Sequence, residues 1–262
     1  MGTVELQREG RVAVLTFDNP PRNMLTTGMF EELGRHARAL DADPDVRAVV
    51  IRGAGDRLYT VGADIREMDI VAAREHRAAN TAAWLAGIHE ALDAIERSPK
   101  VYICAMKGHS YGGGLEVAAA CDIRVAASDA RFAMPEVKLG IIPGYGGTQR
   151  ITRLIGMGHA LTLVLGAREI DAATAEQWGM VDVVTQAGQA EAIALELAQA
   201  IGGYAPLALA AAKRAIRDGL DTDLPTGLAH ERACFVAYAT STDFDEGRRA
   251  FLEKRAPVFQ GV

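Results

Sequence analysis

The chain has 262 residues, 49% hydrophobic and 24% charged; these proportions suit a soluble globular protein with a large core and exclude a disordered chain. Its 28 basic and 34 acidic residues leave a net charge of −6, which argues against nucleic acid as the main partner but leaves room for a local basic pocket. No run approaches the roughly 18 apolar residues of a membrane span, and the opening MGTVELQREGRVAVLTF lacks a basic region followed by an apolar one, so no membrane association is expected and the cytoplasm is the expected compartment.

In chain order, VELQREG and RVAVLTFDNP read as paired strands around Glu9-Gly10. LTTGMFEELGRHARALDADP carries helical spacing at Met29, Leu33 and Leu40 before Pro44 ends it. VRAVVIRGAG is a buried strand running into a glycine loop. YTVGADIREM leaves strand-like sequence through Gly62 and starts a short helix at Asp64, a residue type that caps helix N-termini. The stretch AREHRAANTAAWLAGIHEALDAIERSP, from residue 73, predicts a long helix with Trp84, Leu85, Ile88, Leu92 and Ile95 on its apolar stripe. KVYICAMKG is the next strand, followed by the glycine turn 112–114.

Beyond that turn the sequence predicts LEVAAACD as a helix, IRVAAS and RFAMPEV as short strands and GMVDVV as the last strand. From about residue 188 onward EAIALELAQAI, PLALAAAKRAIRDGL and LAHERACFVAYAT are Ala- and Leu-rich with a period near 3.6. The expected plan is an α/β core over residues 1–187 and a helical C-terminal region over 188–262.

Cys104, Cys121 and Cys234 are too few and too scattered for a disulfide framework, and neither they nor the six histidines fall at metal-ligand spacing. No metal site is expected.

The segment KGHSYGGG, residues 107–114, contains G-H-S-Y-G, a match to the G-x-S-x-G elbow that presents a nucleophilic serine. A hydrolase of that type needs an acid and then a histidine on strand-end loops after the elbow. The later histidines, His159 and His230, both fall in helical sequence, and an HGGG-type motif is missing, so Ser110 is not expected to act as a nucleophile. Glycines before a helix have another use, because they let backbone N–H groups and the positive end of the helix approach a ligand. The loops at Gly62 and at 112–114 could each supply one donor of an oxyanion hole.

Taken together, DNPPRNML, YTVGADIREM, KGHSYGGGLEVAAACDIRVAA, FAMPEVKLGIIPGYGGTQRITRLIG and AREIDAATAEQWGMVDVV make the chain resemble the enoyl-CoA hydratase/isomerase (crotonase) superfamily. The resemblance implies a spiral core of ββα units with a C-terminal helical region. It also implies an acyl-CoA substrate whose thioester carbonyl is polarised by the N–H groups of Ala63 and Gly113. No cofactor is implied beyond the coenzyme A carried by the substrate. Glu116 in GGGLE and Glu136 in MPE match the two acids of the hydratases, whereas isomerases of this kind generally keep the second alone. By the same resemblance CoA lies against Ala63, Asp64, Ile65 and Arg66, with Arg22 a second candidate for its phosphates and Gly113 at the reacting end. The C-terminal helices resemble those that build a trimer or a hexamer of two trimers.

Val61, Val101, Lys107, Tyr111 and Met24 depart from the residues common in such proteins. Val61 and Tyr111 flank the expected donors and are the positions expected to influence acyl preference. The leading expectation is hydration of a 2-enoyl-CoA to a 3-hydroxyacyl-CoA. Isomerisation, decarboxylation or C–C cleavage of another acyl-CoA is the alternative. A catalytically idle or RNA-associated relative is disfavoured by the two acids and the charge.

Overall fold

The computed structural model describes residues 2–71 and 75–262. Strands β1 (Thr3–Glu9) and β2 (Val12–Asp18) form the expected hairpin, with Leu6 opposite Leu15. Helix α1 (Thr27–Asp41) follows, its N-terminus capped by the Thr26 side chain accepting from the Met29 N–H. The chain then repeats one pattern three times. Strand β3 (Ala48–Gly53) leads to the short strand β4 (Leu58–Thr60), a 3₁₀ turn over Ile65–Val71 and helix α2 (Arg77–Arg97). Strand β5 (Val101–Met106) leads to β6 (His109–Tyr111) and helix α3 (Gly113–Ala120). Strand β7 (Ile123–Ala127) leads to β8 (Arg131–Ala133), a 3₁₀ turn over Glu136–Leu139 and helix α4 (Gly147–Gly166). These are the ββα turns of the expected spiral. The start of the helix expected from residue 73 reaches into 72–74, outside the described residues.

Because each turn places its first strand in one sheet and its second in another, two sheets grow side by side. The larger runs β1-β2-β3-β5-β7-β10, with β10 at Val183–Thr185, and is parallel beyond the opening hairpin. The smaller runs β4-β6-β8-β9, with β9 at Ile170–Asp171. Its strands β4, β6 and β8 are parallel, so their C-terminal ends lie along one edge.

The central strands are apolar throughout because both faces of the large sheet are covered. Ala13, Leu15, Phe17, Val49, Ile51, Tyr102 and Cys104 join the core shared with α1–α4, while Val12, Val14, Ala48, Val50, Val101 and Ile103 face the other way. That second face is closed by helix α6 (Ala190–Gly202) through Ala190, Ala194, Ala198 and Ile201. Alanine at every fourth position lets the helix lie close to the sheet.

Between β9 and β10 lies helix α5 (Ala172–Trp178), capped by Asp171. The C-terminus continues through α7 (Pro206–Leu220), α8 (Leu224–Tyr238) and α9 (Thr242–Glu253), as the 3.6 period predicts. Packing places α6 with the core, and α7 touches the same sheet face at its start through the partly buried Leu209. Helices α7 and α8 have no buried residue among those described. Among the described residues no single helix is long and apolar enough to cross a membrane.

The structure differs from the sequence reading in its short elements. RFAMPEV is strand only over Arg131–Ala133 and turns 3₁₀ at Glu136, because Pro135 has no N–H for a ladder. Strands β4, β6 and β9, of two or three residues each, carry too little sequence for a period.

Leu92 lies on the predicted stripe of α2 and is fully buried. Leu92→Ala is expected to destabilise the protein by roughly 2–5 kcal/mol through lost burial and the cavity left behind, measured as a drop in the urea midpoint at unchanged slope.

Candidate active site

A cleft of about 510 Å³ opens at the C-terminal ends of the three parallel strands of the small sheet. Gly62 and Ala63 follow β4, Gly112 and Gly113 follow β6, and Pro135 and Glu136 follow β8; all six line it. Strand ends in such sheets are where side chains and backbone donors converge without occupying the core.

Two backbone N–H groups face this cleft. Leu25 donates its N–H to the Gly62 carbonyl (2.9 Å) and accepts from the Asp64 N–H (2.9 Å), forming a parallel bridge opposite Ala63. In such a bridge the N–H of the opposed residue points away from its partner, so the Ala63 N–H is turned toward Gly113. The Gly113 N–H is the first of α3 and has no acceptor within that helix. A Cβ built on Gly113 would lie 3.4 Å from the Ala63 nitrogen, and one built on Gly62 would lie 3.2 Å from the Gly113 nitrogen and 2.8 Å from the Tyr111 carbonyl oxygen. Gly62 also has φ +93°, a region costly for other residues. Any side chain there would push the two donors apart.

Glu116 and Glu136 reach the same cleft. Glu116 projects from α3, 2% exposed, and its Oε1 accepts from the N–H groups of Tyr145 (2.8 Å) and Gly147 (2.7 Å). Burial, reinforced by the nearby Glu136, raises its carboxyl from the usual 4.5 to about 7 against the pull of those two N–H groups and Arg150. Glu136 begins the 3₁₀ turn after β8, and its Oε2 is buried with no hydrogen-bond partner among the described residues. Burial raises this carboxyl too. Two desolvated carboxyls facing a pair of convergent N–H donors can stabilise a developing oxyanion and move protons beside it.

Around these groups the wall is apolar: Val61, Ile65, Met68, Trp84, Leu85, Leu139, Ile141, Ile142 and Tyr145. Tyr145, which sequence reasoning left without a role, packs edge-on against Phe30 and Trp84, with ring centroids 5.1 and 5.8 Å away. Trp84 donates from Nε1 to Thr27 Oγ1 (2.9 Å), and that hydroxyl donates to Glu67 Oε2 (2.6 Å). The sequence signal for Tyr145 and Gly147 was the glycine turn GYGG opening α4, a second cluster of helix-start N–H groups.

The other expected residues divide. Asp64 is buried and accepts from Arg66 through Nε (2.8 Å) and Nη2 (2.6 Å), which holds its carboxyl below the usual range. Both line an adjoining cleft of about 560 Å³ whose other charged residues are Glu31, Glu32, Arg35 and Glu67. Ile65 joins the first cleft. Arg22 is exposed, lies outside the lining of both clefts, and meets the site through its carbonyl, which accepts from the Val61 N–H (3.3 Å).

Ser110 lies fully buried in β6, and its Oγ has no partner among the described residues. Its neighbours His109 and Tyr111 occupy the opposite face of the strand, where Tyr111 Oη meets His109 Nδ1 (3.0 Å) and donates to Glu169. His159 stacks on Trp178 and His230 lies in α8, so among the described residues no nucleophilic triad assembles at Ser110. Of the two positions expected to influence acyl preference, Val61 lines the cleft, whereas the Tyr111 side chain turns toward His109 and Glu169.

Comparison with known proteins agrees along the whole chain. The family model described as enoyl-CoA hydratase/isomerase matches residues 7–262. A short-chain-enoyl-CoA hydratase of Clostridium acetobutylicum is 38% identical over 256 residues, 97% of this chain and 96% of that relative. A mitochondrial methylglutaconyl-CoA hydratase of Mus musculus is 38% identical over 92% of this chain and 76% of its own length. Among solved structures, an enoyl-CoA hydratase of Bacillus anthracis matches with a TM-score of 0.92 at 33% identity, each chain covered to 99%.

Burying Glu116 carries a stability consequence. Its folded-state carboxyl holds a proton more tightly than in the unfolded chain, so the related stability is present below pH 4.5 and lost as pH rises through about 7. Glu116→Gln keeps an oxygen for the Tyr145 and Gly147 N–H groups and removes the charge. The variant is expected to be more stable than the parent at pH 8, by on the order of 3 kcal/mol, with the difference closing toward pH 4.5, as read by urea unfolding across that range.

Proposed function

The chain belongs to the enoyl-CoA hydratase/isomerase family, and on that footing we propose that it is an enoyl-CoA hydratase, adding water across the double bond of a 2-enoyl-CoA to give a 3-hydroxyacyl-CoA. The observation that carries this reading is the convergence of two desolvated carboxyls, Glu116 and Glu136, on the cleft faced by the Ala63 and Gly113 N–H groups. A double-bond isomerisation needs one group to carry a proton between two carbons. A second acid beside it suits the addition of water.

In this reading the thioester oxygen accepts hydrogen bonds from Ala63 and Gly113, which stabilise the enolate as negative charge moves onto it. Removing one donor of this kind typically lowers the rate by about 100- to 1000-fold. Glu116, fixed by two N–H groups, takes a proton from water as its oxygen bonds to C3. Glu136, on the same cleft, passes a proton to C2. Coenzyme A enters as part of the substrate and runs outward past Asp64, Ile65 and Arg66. The apolar wall from Trp84 to Ile142 excludes bulk water from the acyl group.

We also assign self-association to the C-terminal helices. Ile216, Leu220, Leu224, Phe235, Val236, Phe251 and Leu252 are exposed on α7–α9, a density of large apolar side chains that suits an interface. Light scattering at micromolar concentration is expected to give an assembly larger than a dimer, and a clean monomer would overturn the assignment.

The chemistry is tested by following the ultraviolet absorbance of crotonyl-CoA and longer enoyl-CoAs as the double bond is hydrated. Glu116→Gln and Glu136→Gln are each expected to lower turnover by about 100- to 10,000-fold. Ser110→Ala deletes a buried hydroxyl that does not line the cleft and is expected to change it by less than about tenfold. An inactive Ser110→Ala beside two active glutamine variants would refute the hydratase reading.

A further inference from the structure

The largely covered guanidinium of Arg150 stands directly behind the turn that holds Glu116. Arg150 sits in the first turn of α4, with its side chain 13% exposed. Its Nε donates to Glu96 Oε2 (2.7 Å) and its Nη2 to Asp93 Oδ1 (2.7 Å), two carboxylates one turn apart on α2. Its remaining arm, Nη1, donates to the Tyr145 carbonyl (3.3 Å). The same arm lies under Gly146, where a Cβ would come within 2.3 Å of it and where φ is +100°. The turn held this way, Tyr145-Gly146-Gly147, supplies both N–H groups that grip Glu116 Oε1.

We infer that Arg150 is a positioning residue for Glu116, bracing the Tyr145–Gly147 turn against α2 so that both N–H groups stay aimed at one carboxylate oxygen. The inference rests on the proposed role of Glu116 as the base in hydration. Lysine cannot replace this geometry, since one ammonium lacks the planar fork that reaches two carboxylates and a carbonyl at once. The bracing continues beyond α4: Glu96 also accepts from Arg217 of α7 (2.7 Å), which pairs with Asp122 at the end of α3 (2.8 Å). The turn is thereby tied to three other helices.

Charge acts alongside geometry. The groups that bear on Glu116 are Glu136 from the loop after β8, Tyr145 from the turn, and Arg150 from α4. Arg150 favours the carboxylate and Glu136 opposes it. Loss of the guanidinium and of well-aimed N–H groups therefore makes Glu116 harder to ionise, and the acid limb of the turnover profile moves to higher pH.

The test compares pH profiles of crotonyl-CoA hydration for the parent, Arg150→Lys, Arg150→Met, Glu96→Gln and Glu116→Gln, with circular dichroism and thermal unfolding establishing that each is folded. Arg150→Lys keeps the charge and is expected to lose about tenfold or more in kcat with KM within about threefold. Arg150→Met is expected in addition to move the acid limb up by about one pH unit. Glu96→Gln loosens one anchor and is expected to lower kcat in the same direction but less. A folded Arg150→Lys with parental kcat and an unmoved limb in Arg150→Met would overturn the inference. So would loss of active protein with the limb fixed, which marks a structural residue only. Should Arg150→Met fail to fold, unchanged kcat and limb in both Arg150→Lys and Glu96→Gln overturn it equally. Glu116→Gln separates the two layers: if the acid limb persists there, the assignment of Glu116 as the base falls, whereas a limb lost there but unmoved at Arg150 removes this inference alone.

Discussion

Two backbone N–H groups from loops 50 residues apart in sequence must point at one place, and this requires a closer approach than side chains allow. The contact between Gly62 and the Tyr111–Gly113 backbone meets that requirement. It constrains much else: strands β4 and β6 must be parallel neighbours so that both loops leave one edge, and β8 must follow in register so that the Gly112 N–H can bond the Ala133 carbonyl (2.9 Å). The Leu25 bridge then settles which way Ala63 faces. Donors placed by a backbone ladder need no reorganisation when charge develops, which is where electrostatic stabilisation gains its size.

Around that contact the two acids are held in opposite ways. Glu116 is gripped on one oxygen by two N–H groups, an arrangement that orients it and partly offsets its burial. Glu136 is desolvated with one oxygen left without a partner among the described residues. A buried acceptor without a donor is unfavourable for folding, so this oxygen is kept at a cost to stability. The two acids of one cleft are thereby held differently, one fixed on an oxygen by two donors and the other with an oxygen left open toward whatever enters the cleft.

Much of this was legible in the sequence, for physical reasons that differ by element. Strands β2, β3 and β5 are apolar along their length because both faces are covered, and α1 and α2 carry stripes that match Met29, Leu33, Ile88, Leu92 and Ile95 in the core. Glu116, Glu136, Ala63 and Gly113 were reached through motif and resemblance, and the structure brings all four to one cleft. Strands β4, β6 and β9 escaped because two or three residues show no period. The Ser110 motif was locally persuasive, and its rejection needed facts remote in sequence, the placement of His159 and His230 in helices. Tyr111 was expected to bear on acyl preference because it flanks the donor loop; once β6 is known to be a strand, alternation sends its side chain to the face of His109 and away from that of Ser110. The donors to Glu116 come from 29 and 31 residues further on, and no local pattern encodes such a pairing.

The C-terminal helices show how a surface element can be aimed while burying little apolar area, as α7 does through the partly buried Leu209. Helix α7 has no buried residue among those described, yet it is held by directional bonds. Lys213, 9% exposed, donates to the carbonyls of Ile95 (3.2 Å) and Lys100 (2.9 Å) and pairs with Asp122 (2.8 Å). The Ile95 carbonyl lies in the last turn of α2, where helical acceptors are left over and a cation is favoured by the helix dipole. Burial makes the Lys213 ammonium easier to deprotonate while Asp122 opposes that change, so this contact carries little net stability by itself. What it carries is orientation: a charge that satisfies two carbonyls and a carboxylate fits one placement of the helix. Docked through its polar side, α7 keeps Ile216 and Leu220 at the surface, while Arg217 on the same helix remains joined to Glu96 behind the Tyr145–Gly147 turn.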